Sequence, residues 1–338
     1  MNNKQIIFTE INKAELLDVE YKAPSDDEVA VELAYSSISC GTEKANITGD
    51  PNVSIYSTNV VEFPRTSGYS SAGIVIAKGS NVDNLEIGDR VALEWSTHKK
   101  INVLNKKNVI KISDNTSMQD AALFHIATFP MAAIRKTRLE MGESMLVMGL
   151  GILGLFAVQL AKTAGAAPVI AVDPVAERRE KALKFGADYA LDPFSDDFVD
   201  TVKKLTSGGV NTAIEVTGIG AGLNQCLDCM ARFGRISLLG CTRDKNFTVD
   251  YYRKVHGPGI QLIGAHTMAR PQFESAPGYF TAQDDVKTLD TLTALKRISL
   301  AEMVDEIHSP YNCQEVYTRL INDKNFPVVS QFDWSDVK

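Results

Sequence analysis

The run Gly149-Leu150-Gly151-Ile152-Leu153-Gly154 has the glycine spacing of a turn that lays a phosphate-bearing cofactor against the start of a helix. An apolar strand, Met145 to Met148, leads into it, and a helix over Gly154 to Thr163 follows without a break. In that setting the first glycine permits the tight turn, the second lets backbone approach a pyrophosphate, and the third lets helix pack on strand. The unpaired N–H groups of the helix start, at Ile152 and Leu153, face the anion. Asp173 ends the next apolar run, Pro168 to Val172, about twenty residues on. A carboxylate there accepts from both ribose hydroxyls of an adenosine and repels a 2′-phosphate, so the expected cofactor is NAD rather than NADP. Arg178 and Arg179 follow closely and weigh the other way.

Such a turn needs a sheet to hold it. From Ser144 onward strand-like and helix-like runs alternate: strands at Met145–Met148, Pro168–Val172, Tyr189–Leu191, Thr212–Val216, Arg235–Leu239 and Ile260–Gly264, with helices at Val175–Phe185, Asp197–Leu205 and Gly222–Phe233 between them. This alternation predicts a doubly wound parallel sheet, a Rossmann domain over residues 126–268. Residues 5–125 are strand-rich instead, with short β-branched runs at Glu28–Ala34, Gly73–Ala77 and Gly88–Leu93 separated by turn residues. One helix is expected from Ser117 to Arg135. The segment 269–338 breaks the alternation, with helices at Asp284–Lys296 and Asn312–Asn322 and a strand at Val328–Phe332 that returns to the first unit. The expectation is an α/β protein in which a nucleotide domain, 126–268, is inserted in a catalytic domain made of 1–125 and 269–338.

Composition narrows the partners. The 338 residues suffice for two cores. The net charge of −7 and the lack of a long basic run argue against a nucleic-acid or anionic-membrane surface, and favour a small-molecule substrate. No apolar signal region follows Met1, and no stretch approaches a membrane span. The five cysteines, Cys40, Cys226, Cys229, Cys241 and Cys313, are odd in number and scattered, which points to reduced thiols in the cytoplasm. A homo-oligomer is expected.

These motifs together, with Cys40-Gly41-Thr42-Glu43, Gly68-Tyr69-Ser70-Ser71-Ala72-Gly73, Gly88-Asp89-Arg90-Val91, Thr128, Glu215-Val216-Thr217-Gly218 and Leu239-Gly240, resemble the medium-chain dehydrogenase/reductase family, which includes the zinc alcohol dehydrogenases. The resemblance runs nearly end to end and implies a GroES-like catalytic domain around the Rossmann domain. It adds Thr128, Val216, Thr217, Leu239, Gly240, Ala265 and His266 to the residues expected around the cofactor. The zinc enzymes hold their metal with Cys, His and a further Cys, Glu or Asp. Cys40 matches the first of these, but the second falls on Tyr69 and the third on Phe124. Tyr is a poor zinc ligand and Phe is none. His125 supplies a ligand only if the register slips. The cysteines of the family's structural zinc lobe are absent between Arg90 and Lys111. The chain is therefore expected to use no metal. The Gly-Tyr motif is similar to a zinc-free branch that includes bacteriochlorophyllide hydroxyethyl dehydrogenase and sugar-pathway oxidoreductases.

Without zinc, alcohol oxidation needs another acceptor for the hydroxyl proton. Thr42 matches a proton-relaying hydroxyl of the zinc enzymes, or is a turn cap. Glu43 and Tyr69 match positions that touch in those enzymes, so a Glu43–Tyr69 pair is expected, either catalytic or structural. Lys44 is placed to lower the Tyr pKa or to act alone, unless it is solvated. His266 is placed to face the substrate. Arg270, Glu274, Tyr279 and Phe280 mix polar groups with aromatics as a sugar site does, or form a surface loop. His98 and His125 read as structural, Cys40 as a small residue left where a ligand was, and Cys226 with Cys229, three apart on a helix with no second pair nearby, as no metal site. The expected activity is hydride transfer between NAD and a secondary alcohol or ketone on a sugar or polyol. The alternatives are a zinc-free quinone or enoyl reductase and a non-catalytic NAD-binding protein.

Overall fold

The computed structural model describes residues 2–51, 61–242 and 246–338. The chain divides into two compact units, Met1–Ile126 with Val286–Lys338, and Ala127–Asp285.

The first unit is built on the strand Glu28–Ile38, whose alternation buries Val29, Val31 and Leu33. It pairs antiparallel with Ser70–Lys78, Ile101–Asn105 and Ser330–Asp333. Glu306–His308 extends this sheet beyond Ser330–Asp333, and Arg90–Glu94 and Val109–Lys111 extend it beyond Ser70–Lys78. A smaller sheet joins Lys13–Glu20, Asn2–Glu10 and Arg65–Thr66. Ile6, Phe8, Val31, Tyr317, Phe332 and Trp334 share one core, each side chain of this size contributing roughly 1.5–3 kcal/mol by leaving water. The strand expected at Val328–Phe332 thus does return to the first unit, as Ser330–Asp333.

The second unit carries six parallel strands in the spatial order Tyr189–Leu191, Val169–Val172, Met145–Met148, Val210–Glu215, Met230–Leu238 and Gln261–Gly264. Numbered along the chain, this is 3-2-1-4-5-6, the Rossmann order, with its reversal point beside Met145–Met148. Such sheets bind ligands where the order reverses, outside the carboxyl ends of the strands.

Three expectations are corrected. The helix expected over Ser117–Arg135 is two, Met118–Ala121 and Phe124–Thr137. The helix expected to run to Phe233 ends at Asp228, and Met230–Phe233 already belongs to a strand, with Phe233 in a left-handed conformation (φ +61°). The segment 269–285 belongs with the Rossmann unit rather than the catalytic one. Arg270 donates to the Thr128 carbonyl at 2.7 Å, and Arg135 approaches Asp285 to 2.9 Å while its guanidinium lies 3.6 Å from the Phe280 ring centre. Asp285 is fully buried, and a buried carboxylate needs such cationic partners, so these contacts tie the segment to the helix Phe124–Thr137. No helix among the described residues is long and apolar enough to cross a membrane.

Candidate active site

In the Rossmann unit the glycine turn joins Met145–Met148 to the helix Ile152–Thr163. Gly149 is left-handed at φ +99°. A Cβ on Gly154 would lie 1.9 Å from the Gly149 carbonyl oxygen, so only glycine lets the helix start there. A Cβ on Gly151 would meet nothing within 4 Å. The backbone at Gly151 therefore borders open space, and with Ile152 and Leu153 it forms a helix N-terminus, the cradle a pyrophosphate requires. Asp173 follows Val169–Val172 and is buried. Its carboxylate accepts from the Leu150 N–H at 2.8 Å and the Val175 N–H at 2.9 Å. Arg178 stands 3.7 Å from the same carboxylate, and Arg179 donates to the Asp173 carbonyl.

The other expected cofactor residues follow the carboxyl ends of neighbouring strands. Val216 follows Val210–Glu215, and its N–H donates to the Met148 carbonyl at 2.9 Å. Thr217 is held by Glu215, whose carboxylate also takes the Gly218 N–H. Burial raises the Glu215 pKa, and these donors oppose the rise. Leu239 and Gly240 both donate to the Glu215 carbonyl, and Ala265 donates to that of Leu238. Thr128 is fully buried on the helix Phe124–Thr137. His266 is half-buried, and its Nδ1 accepts the Met268 N–H at 3.2 Å, which leaves the proton on Nε2. Burial, and then the nearby Lys136, hold its pKa below the usual histidine value. With Nδ1 engaged as an acceptor, Nε2 is the nitrogen left to donate.

In the catalytic unit the helix Cys40–Ile47 carries Thr42, Glu43 and Lys44. The expected Glu43–Tyr69 pair is absent. Glu43 is buried and held by His98 Nε2 at 3.1 Å, by the Tyr317 hydroxyl and by the Ser39 N–H at 2.9 Å. Burial first, and then Glu43, raise the Tyr317 pKa far above the usual value, which keeps that phenol a donor. His98 Nδ1 meets Ser36 Oγ at 2.7 Å, which also accepts from Trp334 Nε1. Gly68 admits His98 to this network: its φ is +84°, and a Cβ there would lie 2.8 Å from the imidazole. Glu43 is the centre of a buried network, and two of its three partners, His98 and Tyr317, lie 55 and 274 residues away along the chain.

Tyr69 instead donates to Ser39 Oγ at 2.6 Å. Lys44 reaches the Ile321 carbonyl at 2.8 Å and so is engaged there rather than with Tyr69. Thr42 is exposed, and its carbonyl caps the Asn46 side chain. Ser70, at the position of the family's Glu, donates to the Ala122 carbonyl. Around Tyr69 the structure gathers residues that the sequence reading set aside or passed over. His125 lies edge-on to Tyr69 at 5.8 Å and to Trp95 at 4.7 Å, and its Nδ1 is 3.7 Å from the Glu94 carboxylate. Their separation along the chain concealed them, although Trp95 directly follows the strand Arg90–Glu94.

The donors at the family's zinc position do not fit the metal. The Cys40 thiol points at the carbonyls of Pro327 and Val328, 3.6 and 3.7 Å away, an arrangement that suits S–H and opposes a thiolate. Phe124 is fully buried core. Among the described residues no three His, Cys, Asp or Glu side chains gather to share an ion. In the loop after His266, Arg270 and Phe280 are engaged within the Rossmann unit, whereas Glu274 and Tyr279 are exposed.

Two family models match this chain: an alcohol dehydrogenase GroES-like domain over residues 25–117 and a zinc-binding dehydrogenase domain over residues 153–277. The L-threonine 3-dehydrogenase of Pyrococcus horikoshii is 30% identical over 285 residues, covering 74% of this chain and 79% of that one. The D-guloside 3-dehydrogenase of Escherichia coli K12 is 27% identical over 287 residues, covering 79% and 82%. An alcohol dehydrogenase from Escherichia coli CFT073, solved with NADH, superposes with a TM-score of 0.82 at 18% identity over 98% of this chain and 99% of that one. The chain belongs to the medium-chain dehydrogenase/reductase family. Its curated relatives are oxidoreductases acting on CH–OH groups.

Proposed function

We propose that this protein is a zinc-independent, NAD-dependent dehydrogenase that moves hydride between NAD and a secondary alcohol or ketone of a sugar or polyol. The observation that carries this is the row of expected cofactor residues after the carboxyl ends of the Rossmann strands, with an open glycine turn and a buried Asp173 at the end of the second strand. Gly151 to Leu153 hold the pyrophosphate by their backbone, and Asp173 selects the unphosphorylated ribose. Bound NAD supplies the hydride acceptor. In ketone reduction Tyr69, oriented by Ser39, gives its phenolic proton to the developing alkoxide; in alcohol oxidation the phenolate takes that proton back. The D-guloside relative supports a carbohydrate substrate. Following NADH formation across sugars, polyols and simple alcohols tests the reading; no NADH from any of them overturns it.

Wild-type protein is expected to bind NAD well ahead of NADP. Asp173→Ser removes the like charge and releases Arg178 toward a 2′-phosphate. That variant should narrow the preference by about tenfold, ~1.4 kcal/mol. Equal wild-type affinities, measured by fluorescence titration of the two reduced cofactors, would count against the assignment.

Purified protein should contain far less than stoichiometric zinc, and activity should survive chelation. The support is the donor set: a thiol facing carbonyls, a phenol and a buried phenyl ring. A stoichiometric zinc content with activity lost to a chelator sinks the metal-free mechanism.

A homo-oligomer and a cytoplasmic setting belong to the same proposal. Gln261–Gly264 is an edge strand with Leu262 exposed, which offers backbone groups to a second copy. No disulfide joins the five cysteines.

A further inference from the structure

Trp95 is the residue least explained by stability. It follows the strand Arg90–Glu94 in a left-handed conformation, φ +56°, and is 46% exposed. A bulky residue with positive φ is a genuine outlier and persists only where its surroundings over-determine it. Those surroundings are specific. Glu94 and His125, 1% and 2% exposed, face each other across 3.7 Å. The His125 ring meets the indole at 4.7 Å and 70° and also meets Tyr69 edge-on. The Tyr69 ring lies 6.1 Å from the indole, tilted by 39°. A buried acid–imidazole pair therefore holds an exposed indole beside the Tyr69 ring.

We propose that Trp95, with Tyr69 beside it, is a stacking platform for the pyranose ring of the substrate, and that Glu94 and His125 are positioning residues that fix it. The proposal rests on the carbohydrate reading above and narrows it to cyclic sugars. The face of an indole is electron-rich, and the axial C–H bonds of a pyranose carry the opposite polarity. A ring presents several such bonds on one rigid face, whereas an open-chain polyol must be ordered first at a cost in conformational entropy. Stacking there leaves the equatorial hydroxyls at the rim, within the neighbourhood of Tyr69 and Ser39.

The test uses the methyl α-pyranosides of D-glucose, D-galactose and D-gulose, with 2,3-butanediol as an open-chain comparison. The chain has two tryptophans, and Trp334 is fully buried, so emission that responds to a soluble ligand reports on Trp95. At least one pyranoside should shift this emission in the wild type. Trp95→Leu should raise the KM for that pyranoside, relative to the KM for 2,3-butanediol, by about tenfold. Trp95→Phe, which keeps an aromatic face, should restore most of the ratio, and His125→Ala should degrade it. Emission unmoved by every pyranoside, or Trp95→Leu with the wild-type ratio, overturns the platform. An emission shift without any NADH formation supports the platform and counts against the dehydrogenase reading. Turnover of open-chain alcohols without any emission shift does the reverse.

Discussion

Tyr69→Phe is expected to lower kcat by about 10² to 10⁴-fold, the usual contribution of a positioned proton-transfer group, with NAD affinity unchanged. The argument is geometric. The phenol is a donor to Ser39 Oγ at 2.6 Å, half-buried, in the place where the zinc enzymes carry a metal ligand. Removing one oxygen leaves the ring in its contacts with Trp95 and His125, so the fold is retained. The proposed nucleotide site lies in the other unit, at Gly149 to Leu153 and Asp173, and the change does not touch it. Steady-state kinetics alongside a fluorescence titration of NADH reads both quantities. Full turnover by the variant would make Tyr69 a structural donor and place the proton acceptor elsewhere.

Glu43→Ala should act on stability instead. Its carboxylate is shared by His98, Tyr317 and the Ser39 N–H, and all four residues are buried. Truncating it strips a buried imidazole, a phenol and an amide of their common acceptor. Breaking a buried pair in this way costs about 3–5 kcal/mol. In a unit of this size each kcal/mol shifts the midpoint by roughly 2–4 °C, so the transition of the catalytic unit should fall by about 10 °C. Glu43→Gln keeps an acceptor and should lose much less. Scanning calorimetry of both variants separates this from a catalytic role: a Glu43→Ala protein with an unchanged midpoint and a collapsed kcat would return Glu43 to the chemistry.

The contrast between these residues shows what the sequence made legible. The Rossmann strands were readable because parallel strands buried on both faces are short apolar runs, and Met145–Met148 and Val169–Val172 fall where those runs do. The glycine turn was readable because its function depends on local backbone geometry. The partners of Glu43 were not, because His98 and Tyr317 lie 55 and 274 residues away and only the folded sheet brings them together. Motif likeness suggested Tyr69 as the partner, but with His98 admitted by Gly68 the carboxylate is already engaged. Trp95 and His125 escaped for the same reason: an exposed indole and a buried imidazole acquire meaning only once they are seen in contact.

The strand Ser330–Asp333 lies between Glu306–His308 and Glu28–Ile38 in the sheet of the first unit, and Tyr317 and Trp334 close on Glu43 and Ser36. All of these contributors lie beyond the Rossmann unit along the chain. During translation the early strands therefore wait with an open sheet and exposed apolar faces while the whole of Ala127–Asp285 is made. The Rossmann unit, contiguous in sequence, has everything it needs to fold first. The catalytic unit becomes complete only afterwards, once Val286–Lys338 has been made.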